Sequence, residues 1–107
     1  MKQMLFAVLV SAALPVFAAE VPEFTITLEN HSFSPAELHI PANQQVKLLI
    51  QNRDITPEEF EGDELGVEKI IPGNSDATVL VGPFAPGEYG FIGEFHAESA
   101  NGRLIAE

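Results

Sequence analysis

Apolar residues in this chain recur with a period of two, in short runs cut by turn-forming residues. That is the pattern of strands with one buried face. Phe24-Thr25-Ile26-Thr27-Leu28-Glu29 alternates apolar and polar, and Asn30-His31-Ser32 ends it as a turn. Phe33-Ser34-Pro35 and Glu37-Leu38-His39-Ile40 predict an edge segment with Leu38 and Ile40 inward, closed by Pro41-Ala42-Asn43. Gln45 to Asn52 predicts a strong strand, with Val46, Leu48 and Ile50 on one face. Further strands are predicted over Leu65 to Ile71, Asp76 to Val81, Glu88 to Phe95 and Arg103 to Ala106, with turns at Pro72-Gly73-Asn74 and Pro86-Gly87. Thr56 to Gly62 suits a helical turn, with Thr56 as N-cap and Pro57 at the first position. About seven short strands at spacings of roughly 8–12 residues predict an all-β antiparallel sandwich. Phe24, Phe33, Phe60, Phe91 and Phe95 are expected in its core or rim, and Tyr89 suits a hydrogen bond at a sandwich corner.

The N-terminus breaks the pattern. Lys2, the apolar run Met4 to Val10 and the small-residue motif Val16-Phe17-Ala18 predict a secretory signal peptide over residues 1–18, with the mature protein starting at Ala19. The apolar run is short and is interrupted by Pro15, whereas a membrane span needs about 20 apolar residues. A periplasmic protein that is not membrane-embedded is therefore expected. Residues 19–107 form one predicted domain, and a chain of that size buries about 60–65% of its unfolded surface. The chain has no cysteine, so no disulfide assists the fold.

Charge narrows the chemistry. Residues 19–107 carry four Lys and Arg against sixteen Asp and Glu, a formal net charge of −12. Such a field repels nucleic acid and attracts cations or basic partner surfaces. No Ser-His-Asp arrangement, phosphate loop or nucleotide fingerprint is present, which sets aside hydrolytic and nucleotide-dependent chemistry. His31 and His39 are expected at the surface.

The segment Pro86 to Ile105 resembles the last hairpin of a cupredoxin. There a Pro-Gly turn leads into an aromatic strand bearing a Cys, and a His follows three residues later, usually with a Met after it. Here His96 keeps its place, but Gly93 stands at the Cys position and no Met follows. A blue-copper site needs a thiolate beside two imidazoles, so an ordinary blue-copper electron carrier is excluded. Phe33-Ser34-Pro35, the strand ending at Asn52, Pro57-Glu58-Glu59-Phe60-Glu61 and the final hairpin together resemble the EfeO-type cupredoxin-like domains. More closely, the chain resembles the small periplasmic FtrB-like cupredoxins of bacterial ferrous-iron uptake, over nearly all of residues 19–107. Glu58 takes the place of an ordinary cupredoxin's His, and Glu58-Glu59-Phe60-Glu61 resembles a His-Glu-Trp-Glu run. Glu68-Lys69 resembles a Glu-Lys pair of the smaller group. Of an acidic pair in that group, this chain keeps Glu94, with Gly93 at the first position.

The resemblance implies a cupredoxin-like Greek-key sandwich in which the loops after the Asn52 and Phe91 strands meet at one end. Glu58 and His96 should approach each other there. The implied metal ligands are His96, Glu58, Glu59, Glu94 and Glu68, with Glu61 and Glu98 nearby. Carboxylates with one imidazole suit iron, manganese or copper(II) better than copper(I), so the expected cofactor is an iron or copper ion. The implied function is metal binding in support of ferrous-iron uptake, with assistance to Fe(II) oxidation as a further role. A membrane iron permease or a second periplasmic iron-binding protein would be the partner. Two other readings stay open: a copper-binding or copper-buffering protein, and a metal-free acidic module docking a basic partner.

Overall fold

In the computed structural model, residues 3–5, 7–8 and 20–107 are described. The predicted cleavage motif Val16-Phe17-Ala18 and most of residues 1–18 lie outside them. The nine strands are β1 (Glu23–Glu29), β2 (Ser32–Ser34), β3 (Glu37–Ile40), β4 (Val46–Asn52), β5 (Glu58–Gly62), β6 (Val67–Ile71), β7 (Ser75–Val81), β8 (Gly87–Gly93) and β9 (Asn101–Ala106). They form two sheets, ordered β2-β1-β4-β7 and β3-β9-β8-β5-β6. A single-turn 3-10 helix, Glu94–His96, joins β8 to the connection before β9. No helix among the described residues is long and apolar enough to cross a membrane.

The alternation read from the sequence is the alternation observed. Ile26 and Leu28 of β1 and Val46, Leu48 and Ile50 of β4 face inward and are buried. They meet Ile40, Phe60, Ile71, Phe91 and Leu104 from the other sheet. Phe33, Phe60 and Phe91 form an aromatic knot, with ring centroids 5.2–5.9 Å apart and two edge-on contacts, the geometry that ring quadrupoles favour. At the corner before β8 the Tyr89 hydroxyl donates to Ala85 O at 2.7 Å, as expected.

Three expectations need correction. Among the described residues there are nine strands, because the edge segment divides into β2 and β3 and because β5 is also a strand. The sandwich is not wholly antiparallel: β1 pairs with β4 and β3 with β9 in parallel. Parallel neighbours need a crossover, and the chain supplies one by passing through β3, in the opposite sheet, between β1 and β4. Thr56 to Gly62 is not helical. Residues 58–62 are hydrogen-bonded on both sides, to β6 and β8, and this non-local pairing overrides the local helix-start signals.

Candidate metal site on the outer sheet face

Asn52, at the end of β4, controls the approach to the site. It is 2% exposed. Its amide donates to Thr56 O, Ile71 O and Pro72 O at 2.9–3.2 Å, and its carbonyl accepts from Asp54 N at 3.0 Å. The side chain thereby ties the β4–β5 loop to the end of β6 and delivers the chain into β5 in fixed register.

Along β5 the side chains alternate. Glu58 and Phe60 point inward and are buried, whereas Glu59 and Glu61 point to the outer face. Glu58 carries a carboxyl group at 1% exposure, which is tolerable only when its oxygens find hydrogen-bond partners. They do. Oε1 accepts from Phe95 N at 2.8 Å and Glu59 N at 3.1 Å, and Oε2 lies 2.6 Å from His96 Nδ1. An ionised carboxylate can only accept, so with Glu58 ionised Nδ1 is the donor of this contact.

Gly93 has φ −94° and ψ 105°, an ordinary strand conformation that any residue adopts. Its lack of a side chain answers to space. A Cβ there would lie 2.7 Å from Glu58 Cδ and 2.8 Å from Ala100 Cβ. The Glu58 carboxyl group therefore lies against the bare face of residue 93.

His31 completes this end. Asp54 accepts from Asn30 N at 2.7 Å and His31 N at 3.0 Å, stabilising two consecutive residues with positive φ. Ser99 Oγ donates to His31 O at 2.6 Å. The His31 ring then stacks on His96, with centroids 3.5 Å apart and planes 11° from parallel. His31 is thus half-buried against the candidate site, contrary to its expected surface position. His39 lies elsewhere, exposed and 2.7 Å from Glu107 Oε1.

On the outer face, Glu59, Glu61 and Glu94 each offer an oxygen, and the three oxygens lie within 4.8 Å of one another. Glu61 Oε2 is buried and has no hydrogen-bond partner. Glu68 is directly opposite Glu61 in the β5–β6 ladder and diagonal to Glu59. Hydrogen bonding to Glu68, then burial, then the charges of Glu68, Glu94 and Glu58 raise the Glu59 pKa above its ordinary 4.5. No ion pair joins Lys69 to Glu68 among the described residues; Lys69 stands opposite Phe60 in the ladder, on the alternate side of β6. Arg103, on β9, is already tied to Glu37 and Glu88. Among the described residues no Lys or Arg forms an ion pair with Glu59, Glu61 or Glu94.

The five residues expected as ligands are thus divided by the sheet. Glu58 and His96 meet at the loop end, bonded to each other. Glu59 and Glu94 meet on the outer face, with Glu68 beside Glu59. Glu98 is exposed in the turn after His96. Glu61 was given a lesser place in the sequence, yet it stands inside the carboxylate group. The readable signal was the Glu59–Glu61 alternation, which has this meaning only once residues 58–62 are recognised as a strand.

A family model described as a cupredoxin-like domain matches residues 2–106. Uncharacterized protein RP394 of Rickettsia prowazekii (strain Madrid E) is 36% identical over 83 residues, covering 78% of this chain and 66% of that protein's length. Auracyanin A, a blue copper protein from Chloroflexus aurantiacus, superposes with a TM-score of 0.69 at 15% identity, covering 82% of this chain and 100% of its own. The metal-binding domain of the Cu(I) exporting P-type ATPase CopA of Streptococcus pneumoniae D39 gives 0.67 at 14% identity, covering 86% and 91%. At such identities the likeness is one of fold.

Copper is the metal of those two structures, and the residues here do not fit a blue-copper centre. The thiolate is absent, the space beside residue 93 holds the Glu58 carboxyl, and the His96 Nδ1 is bonded to that carboxyl.

Proposed function

The chain belongs to the family of cupredoxin-like domains, and from that premise we propose that it is a carboxylate-based cation-binding protein serving ferrous-iron uptake in the periplasm. Iron is the cargo, held by Glu59, Glu61 and Glu94 with Glu68 in support. The observations that carry this reading are the Glu59, Glu61 and Glu94 oxygens within 4.8 Å of one another and the buried Oε2 of Glu61, which has no hydrogen-bond partner. An unpaired buried acceptor costs about 1–3 kcal/mol, and a cation bridging it to Glu59 and Glu94 would remove that cost.

The donor chemistry favours hard ions. Oxygen ligands suit Fe, Mn and Mg better than Cu(I). A carboxylate set binds Fe(III) more tightly than Fe(II), so the oxidised ion would be held more strongly than the reduced one. The role assigned to this chain is holding the ion. Iron, rather than another hard cation, rests on the resemblance to the EfeO-type and FtrB-like cupredoxins. The same resemblance supplies the partner: a membrane iron permease or a second periplasmic iron-binding protein, approached by the acidic outer face.

The test is calorimetric titration of chelator-stripped residues 19–107 with Mn(II), and with Fe(II) under anaerobic conditions. One ion per chain is expected, with affinity at least tenfold weaker in Glu59→Gln and in Glu61→Gln. Absent binding, or binding that neither substitution changes, would overturn the reading and leave the acidic docking module in its place.

A further inference from the structure

Glu94 has left the β-ladder that fixes its neighbours. The pairing of β5 with β8 has two register positions, Phe60 with Gly93 and Glu61 with Ile92. Past Gly93 the chain turns into the 3-10 helix, and no backbone pairing relates Glu94 to Glu59 in the observed register. The link between these segments comes from the Glu58 side chain. One oxygen accepts from Phe95 N and Glu59 N, and the other meets His96 Nδ1. A single buried carboxylate thus holds the residue after Glu94, the residue two beyond it, and the backbone of Glu59.

We propose that Glu58 and His96, which stand where a cupredoxin's metal ligands meet, do not ligate a metal here; they form a latch that sets the spacing of Glu59 and Glu94. Two atoms bound to one ion at about 2.0–2.1 Å stand roughly 2.8–3.4 Å apart, whereas Glu58 Oε2 and His96 Nδ1 are 2.6 Å apart, at hydrogen-bond distance. Gly93 belongs to the latch, since a side chain there would meet the Glu58 carboxyl. His31 stacks on the imidazole. Parallel rings have parallel lone pairs in separate planes, so this stack braces His96 and does not chelate. Glu58 and His96 are positioning residues for the carboxylate site, and the inference rests on the reading of Glu59, Glu61 and Glu94 as that site.

The experiment separates the latch from a ligand role and from the cation site itself. Mn(II) affinity is measured by calorimetry for the wild type, His96→Ala, His96→Asn and Glu58→Gln, each confirmed folded by circular dichroism. The Asn amide offers a donor near the Nδ1 position but no imidazole, and Gln keeps an acceptor for Phe95 N and Glu59 N. A latch predicts about tenfold weaker binding in His96→Ala, with affinity within about threefold of wild type in His96→Asn and Glu58→Gln. Comparable losses in His96→Ala and His96→Asn would identify the imidazole as a ligand and overturn the proposal, as would an unchanged His96→Ala. In parallel, Cu(II) is added to the wild type and to His96→Asn, and electron paramagnetic resonance reads nitrogen coupling. Coupling present in the wild type and lost in the variant overturns the latch even if Mn(II) does not bind. Identical spectra support it, and absent Mn(II) binding then counts against the cation site alone.

Discussion

Replacing Gly93 by Ala tests whether the Glu58 carboxyl has taken over the space beside that residue. The backbone at 93 is an ordinary strand conformation, so the usual benefit of Gly→Ala, about 0.4–1 kcal/mol from a stiffer unfolded chain, applies. Against it stands the contact. The new methyl would lie 2.7 Å from Glu58 Cδ, 3.0 Å from its Cγ and 2.8 Å from Ala100 Cβ, well inside van der Waals separation. Neither neighbour can retreat cheaply, because Glu58 is 1% exposed and held by three hydrogen bonds, and Ala100 is 0% exposed. Overpacking a filled site costs about 1–3 kcal/mol. Shifting the carboxyl off its donors adds about 1–3 kcal/mol. The net expectation is a loss of about 2–4 kcal/mol, and at 4–8 °C per kcal/mol for a domain of this size the melting temperature falls by about 8–32 °C. Urea unfolding followed by far-ultraviolet circular dichroism suits a chain with no Trp and a single Tyr. A loss under about 0.5 kcal/mol, the range of an ordinary surface substitution, would refute the reasoning. The double variant Glu58→Ala/Gly93→Ala sharpens the test. The Gly93→Ala penalty should shrink in the Glu58→Ala background, because only the Ala100 contact remains. An equal penalty in both backgrounds would assign the constraint to Ala100.

Two further outcomes follow from the site. A carboxyl whose folded pKa is raised stabilises the metal-free fold at low pH, and that contribution is lost as pH rises through the folded value; a cation must displace the same proton. Glu59 is such a carboxyl, raised above 4.5 by its neighbour Glu68. Mn(II) affinity should therefore decline as pH falls toward the carboxyl range, and calorimetry on Glu59→Gln should show a flatter profile. Asp54→Ala removes the acceptor of both Asn30 N and His31 N. It should cost about 1–3 kcal/mol in urea unfolding and move the His31 ring proton resonances as the ring leaves the face of His96.

Most strands were legible because alternation is a local property. Val46, Leu48 and Ile50 announce the buried face of β4 without reference to any other part of the chain, and they are buried as read. Residues 56–62 misled for the same reason. Thr56, Pro57 and the following acids are sound local signals for a helix start, while the strand there is made by β6 and β8, whose residues begin five and 25 positions beyond Gly62. The parallel pairings of β1 with β4 and β3 with β9 were hidden because they depend on which sheet each strand joins. His31 was read as a turn residue, and it is one. Its place against His96 depends on an aspartate 23 residues away and a serine 68 residues away.

The candidate site was legible in its composition and hidden in its division. The resemblance gathered Glu58, Glu59, Glu68, Glu94 and His96 into one ligand group, because it aligns positions and does not report which face of a strand each side chain occupies. Adjacent residues on a strand point to opposite faces, so Glu58 and Glu59 lie on different sides of the sheet. Two departures from the cupredoxin pattern, Gly93 for Cys and Glu58 for His, look independent when read along the chain. In space they are one exchange. A side chain at 93 would collide with the Glu58 carboxyl, and that carboxyl lies against the bare glycine and bonds His96. Reversing one change alone therefore does not lead back toward copper. A Cys at 93 would meet the carboxylate, and removing the carboxylate would free Phe95 N, Glu59 N and the His96 imidazole while leaving no thiolate. The space beside Gly93 is what lets the Glu58 carboxyl pack there and bond His96, so the two departures are tied to each other by geometry.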